Sequence, residues 1–215
     1  MMNLILNNYS LFTIRMGGIL NNKHIYIVLS RTGTTFSNII ALFTQKEYSH
    51  VSLSLDASFG RKIPSKVLPA GLVEENLYSG VFAMYPKSKC LVYKIDVTDE
   101  QLTYLQNSID NFFKNKDDYK YSVLGTVTAY FNRPLKREKY YFCSQFVAEL
   151  LINSGIYKTD KLPEVIKPMD LLEIPNKTFV YEGIISEENY QNYLENNYSV
   201  FKSQRLSKAL SRLIP

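Results

Sequence analysis

The chain has no tryptophan, two cysteines and two histidines among its 215 residues, and each scarcity excludes something. Two cysteines, Cys90 and Cys143, with 52 residues between them, do not make a disulfide framework or a cysteine-rich metal site. A reducing setting is therefore expected, with no metal and no other cofactor. Two histidines leave few bases for proton transfer near neutral pH. Long apolar runs are also missing. The opening MMNLILNNYSLFTIRMGGIL is broken by asparagines, has no preceding positive region, and ends at Gly17 and Gly18 without a small-residue cleavage pattern. It reads as neither signal peptide nor membrane span, so cytoplasmic residence is expected. Charge is close to balanced, with 25 Lys and Arg against 20 Asp and Glu and a net charge of +5 spread along the chain. Without a concentrated basic face or an aromatic stacking motif, nucleic acid is not an expected partner.

What the chain does have is core-building material. Hydrophobic residues make up 46%, and 17 Tyr and 12 Phe replace the missing tryptophan, enough for one well-packed domain. HIYIVLS (His24 to Ser30) reads as a β-branched strand. The turn RTGT then leads to a helix with Phe36, Ile39, Ile40 and Phe43 at helical spacing. YSHVSLSLD (Tyr48 to Asp56) alternates, and SFGRK (Ser58 to Lys62), GLVEEN (Gly71 to Asn76) and CLVYKIDV (from Cys90) follow as strands separated by proline-bearing loops. Thr98 and Gln101 form a capping-box pattern ahead of Leu102, Leu105, Ile109, Phe112 and Phe113 on one helical face. A second helix is expected near Tyr121 to Tyr130. TFVYEG (Thr178 to Gly183) reads as a last strand.

The most informative segment is YYFCSQFVAELL, Tyr140 to Leu151. It sets Cys143 where a polar aromatic run becomes an amphipathic helix that ends at Gly155, a natural C′ residue. The unpaired amides and positive dipole end of a helix start favour a thiolate, the nucleophilic form of cysteine. His50 stands on the alternating strand, sharing a polar face with Tyr48, Ser52 and Ser54 while Val51, Leu53 and Leu55 take the other face.

Taken with HIYIVLSRTGTTFS, YSHVSLSLD, SFGRK, GLVEEN, YYFCSQFVAELL and KPMDLLEIP (Lys167 to Pro175), this pair resembles the circularly permuted papain-like amidases of the NlpC cell-wall peptidase superfamily, the YiiX and YaeF kind. The likeness covers about residues 24 to 183. It implies an α+β, permuted papain-like (NlpC-type) fold, with an antiparallel sheet packed against helices and the nucleophile at a helix N-terminus. It also implies a Cys143 thiolate, a His50 base, and a third residue on a strand after the histidine strand that orients the imidazole. Ser58 fills that place by pattern position and Glu74 by chemistry. Tyr48 is read as an oxyanion donor or as a packing tyrosine. Arg61 is read as a partner for a substrate carboxylate or as half of a surface ion pair. Asp170, after Pro168, is expected to cap a short helix.

Residues 186 to 215 turn polar and then basic, with Val200, Phe201, Leu206, Leu210 and Leu213 interleaved with Lys202, Arg205, Lys208 and Arg212. They read as an amphipathic tail that docks on its own domain or on a second subunit, a membrane surface being the less favoured partner. The expected organisation is an N-terminal extension (1–23), a catalytic domain (24–185) and this tail (186–215). The leading functional reading is a cysteine amidase or peptidase that hydrolyses a small amide or isopeptide in a peptide or amino-acid-containing substrate. A lipid acyltransferase or esterase of the lecithin:retinol acyltransferase-like kind, and a non-catalytic binding module on the same fold, are the alternatives.

Overall fold

The computed structural model describes residues 23–31, 47–55, 61–65, 71–75 and 88–184, with 61–65 and 71–75 described through their backbone. The N-terminal extension, the helix expected around Phe36 to Phe43 and the C-terminal tail lie outside the described residues.

Six strands form one antiparallel sheet in the order β4-β3-β2-β1-β5-β8. They are β1 (Lys23–Arg31), β2 (His50–Ser54), β3 (Arg61–Ser65), β4 (Gly71–Glu75), β5 (Lys89–Val97) and β8 (Lys177–Ile184). β1 lies between β2 and β5, with Ser30 opposite both His50 and Cys90. Its continuous apolar run has a simple cause, because both faces of the sheet are buried there. Ile25, Ile27 and Leu29 join Val51, Leu53, Leu91 and Ile95 in the main core under the helices. Tyr26, Val28, Cys90 and Val92 form a smaller cluster with Val180 and Tyr181. The alternation expected in β2 is present, but its polar face is not a wet one: Ser52 and Ser54 are buried.

Helix α1 (Asp99–Lys114) opens on the expected capping box. The Thr98 hydroxyl accepts from the Gln101 amide at 3.2 Å, and the Gln101 side chain accepts from the Thr98 amide at 3.0 Å. Leu105 and Ile109 are buried, and Leu102, Phe112 and Phe113 pack against the core. Phe112 meets Phe146 edge-on at 5.0 Å and Tyr141 at 5.6 Å between ring centroids, tying α1 to the cysteine segment.

Helix α2 (Val123–Tyr130) and helix α3 (Cys143–Asn153) are each preceded by a two-residue strand, β6 (Lys120–Tyr121) and β7 (Tyr140–Tyr141), and these two pair in parallel. The Ser122 amide donates to the Tyr141 carbonyl at 2.8 Å, so both helices start from one anchored point. α3 ends at Gly155, whose φ of 72° is the left-handed turn a side chain would strain.

β3 is described from Arg61, opposite Ser54, to Ser65; Ser58, at which the sequence predicts this strand to open, lies outside the described residues. Replacing Thr98 with Ala is expected to destabilise the protein by about 1 kcal/mol, because it removes the acceptor for an end-of-helix amide. Urea denaturation measures this, and an unchanged midpoint would show that α1 does not depend on its cap.

Candidate active site

Cys143 is the first residue of α3 and is only 4% exposed. Its helix is buried along most of its length, from Cys143 through Ala148 and again at Leu150 and Leu151. The Ser144 hydroxyl donates to the Ile166 carbonyl at 2.8 Å and fixes the first turn. The thiol interacts with the His50 imidazole and accepts from the backbone amides of Val51 and Ser144. Backbone amides lie in the plane of a sheet, and β1 occupies one side of β2. A sulfur bonded to the Val51 amide therefore sits off the other edge of β2. β3 is registered with β2 at Ser54↔Arg61, toward the far end of that strand. Meeting at the edge explains how a histidine whose strand neighbours point away from the helices still reaches the helix that carries the cysteine.

Burial is the largest influence on this thiol and pushes its pKa up. The charge and hydrogen bond of His50, with the Val51 and Ser144 amides, outweigh it and hold Cys143 below the ordinary thiol value. Two tyrosines that sequence reasoning missed share this environment. Tyr121 and Tyr130 are both raised, first by burial and then by the negative charge of Cys143, so both phenols stay protonated at neutral pH. Tyr121 is placed by the β6–β7 pairing, opposite Tyr141, and its hydroxyl is 3.3 Å from that of Thr126. The signal was weak in a chain so rich in tyrosine; only the parallel pairing of two short strands singles Tyr121 out.

The remaining sequence candidates fall elsewhere. Tyr48 precedes β2 instead of sharing its polar face. It is packed in the main core, and its hydroxyl donates to Glu182 Oε1 at 2.8 Å. Lys89 joins that group through Glu47 at 2.6 Å and Glu182 at 3.0 Å, so Tyr48 is a strut between the entry to β2 and β8. Arg61 lies opposite Ser54, four residues along from His50, roughly 13 Å at strand spacing. Glu74 is on the edge strand β4, opposite Lys62, two strands from β2. The β3 position toward the His50 end is Ser65, opposite Gly71. Ser58 lies outside the described residues. Asp170 accepts from the Lys167 amide at 3.0 Å and closes the turn over Pro168–Glu173, as expected. The second histidine, His24, pairs with Asp96 at 2.7 Å, six residues along β1 from the Ser30 that faces His50, roughly 20 Å away. Cys90 is buried on the opposite face of the sheet from α3.

No family model matches the chain, and no curated protein matches it. Its mixed α+β architecture, with one antiparallel sheet against helices, does match a solved structure. The crystal structure of the metalloprotein YiiX from Escherichia coli O157:H7 aligns with a TM-score of 0.52 at 16% identity, covering 77% of this chain and 100% of that one. At that identity the likeness is one of fold, and the fold is YiiX-like. Among the described residues, no group of three or more His, Cys, Asp or Glu side chains converges as a metal ion requires.

Two measurements follow from this geometry. Iodoacetamide labelling followed against pH, with mass mapping, should modify Cys143 and spare Cys90. The thiolate of Cys143 is present above its depressed pKa and lost as pH falls through it, so the midpoint should lie below the value of about 8.5 for an ordinary thiol. In His50→Ala, burial then dominates and the midpoint should move above that value; an unmoved midpoint would remove the pairing. Tyr48→Phe should leave the Cys143 labelling rate unchanged while lowering the melting temperature, and a slowed rate would return Tyr48 to the site.

Proposed function

We propose that the protein is a cysteine amidase or peptidase on a circularly permuted papain-like fold, in which the histidine strand precedes the cysteine helix along the chain. The observation that carries this reading is the Cys143 sulfur at the start of α3, held below its ordinary pKa between the His50 imidazole and two backbone amides. Such a thiolate attacks a carbonyl carbon, forming a C–S bond and an oxyanion. The Cys143 amide at the helix N-terminus donates to that oxygen, and the phenols of Tyr121 and Tyr130, which feel the charge of Cys143, supply side-chain donors. The His50 imidazolium gives its proton to the leaving nitrogen as the C–N bond breaks. Water then attacks the thioester while His50 takes a proton from it, the acid is released and the Cys143 thiolate returns.

A small amide or isopeptide in a peptide substrate suits a buried thiol better than a bulky acyl chain does. The test is a panel of short α-linked and γ-linked peptide amides beside phospholipid esters, with Cys143→Ala as the blank. Cysteine-dependent release from the peptides is expected, reduced about 10²- to 10⁴-fold in His50→Ala. Release from lipid esters alone would move the assignment to a lipid acyl hydrolase. Release from neither would leave a binding module on this fold.

A further inference from the structure

Helix α2 is inverted. A surface helix ordinarily buries its large apolar side chains and shows polar ones to water. Here Gly125, Thr126 and Ala129 face inward, while Val123 is 45% exposed, Leu124 55% and Val127 43%. Phe131, which caps the helix, is 72% exposed. Positions 123, 124, 127 and 131 fall within about a quarter of the helical circumference at 100° per residue, so they form one outward stripe. Leu162, 55% exposed, precedes the Pro163–Val165 turn that packs on α2. At position 125 the inward face cannot take a larger residue. A Cβ on Gly125 would lie 2.5 Å from the Ser122 hydroxyl, which caps this helix, and 3.3 Å from the Phe142 ring, one residue before Cys143. α2 is pressed against the cysteine segment, and its bulk points outward.

Charge identifies what that stripe meets. α2 carries no ionisable group except Tyr130, and residues 116–139 hold six basic side chains against three acidic ones. Lys139 takes up Asp118 at 2.8 Å, and the Arg137 guanidinium lies over the Tyr140 ring. Arg133, Lys136 and Arg137, all exposed, follow Phe131 directly. A basic border disfavours two occupants: a second copy would bring like charges together, and the tail at 199–213 is itself basic. An apolar convex stripe beside Lys and Arg is the arrangement of an interfacial helix, its apolar side in the acyl boundary and its cations at the headgroups. No helix among the described residues is long and apolar enough to cross a membrane, so the contact is peripheral.

We propose that α2 docks the protein on an anionic lipid surface through Val123, Leu124, Val127 and Phe131, with Arg133 and Lys136 on the headgroups. This docking does not depend on the chemistry of Cys143. The experiment is flotation of the full-length protein with phosphatidylcholine vesicles, with and without phosphatidylglycerol. Wild type and Cys143→Ala should both float with the anionic vesicles and be released by salt. Leu124→Ser with Phe131→Ser should lower the bound fraction roughly tenfold or more, and Arg133→Glu with Lys136→Glu should abolish the preference for anionic lipid. Circular dichroism checks that each variant is folded. Failure of wild type to float overturns the proposal, as does equal binding by the α2 variants. Loss of binding in a Phe201→Ser, Leu206→Ser, Leu210→Ser tail variant, with the α2 variants unaffected, overturns it in favour of the tail. A dimer that Phe131→Ser dissociates, without vesicle binding, makes a second copy the occupant.

Discussion

A helix buried on most of its sides must have its ends secured by the protein, because water cannot reach them, and α3 is such a helix. Its C-terminal carbonyls are met by the left-handed turn at Gly155 and by the Ile156 and Tyr157 amides, both bonded to Leu151. Its start is held by the β6–β7 pairing and by Ser144 on the Ile166 carbonyl. The aromatic contacts of Phe112, Tyr141 and Phe146 brace the same point from α1. Everything that aims Cys143 follows from those anchors. The sulfur has little latitude once the first turn is set, and it is set at the edge of β2.

Burial and charge oppose each other at that edge. An apolar setting alone would make the thiol a worse acid and an inert packing group, the ordinary fate of a buried cysteine. His50 and two amides reverse the direction. Cys90 shows the contrast, being equally buried but placed in strand β5 and not at a helix start. Burial first, and then the same negative charge, raise Tyr121 and Tyr130 further above neutral pH, where phenols are protonated and able to donate.

The inverted α2 adds a second constraint. Close approach to Ser122 and Phe142 demands glycine at position 125, and Thr126 and Ala129 fill the rest of the inner face, so the large apolar side chains point outward. The support for the cysteine segment and the exposed stripe are thus two faces of one packing decision.

Local features were legible in the chain because their causes are local. The Thr98 capping box, the stop at Gly155, the placement of Cys143 at a helix start and of His50 on an alternating strand need only neighbours within a few residues, and spacing declares them. The pairing of Arg61 with Ser54 was not legible, because a strand's register depends on its partner and not on its own residues. Of the two readings of Tyr48 the packing one holds, and its partner, Glu182, was not legible because it is 134 residues away. Tyr121 and Tyr130 looked like any of the other tyrosines until β6 paired with β7. The sequence by itself determined which residues carry titratable and nucleophilic side chains and what local structure holds them. Only the tertiary structure decided which of them meet, because hydrogen bonds and charge act over a few ångströms of space, whatever the separation along the chain.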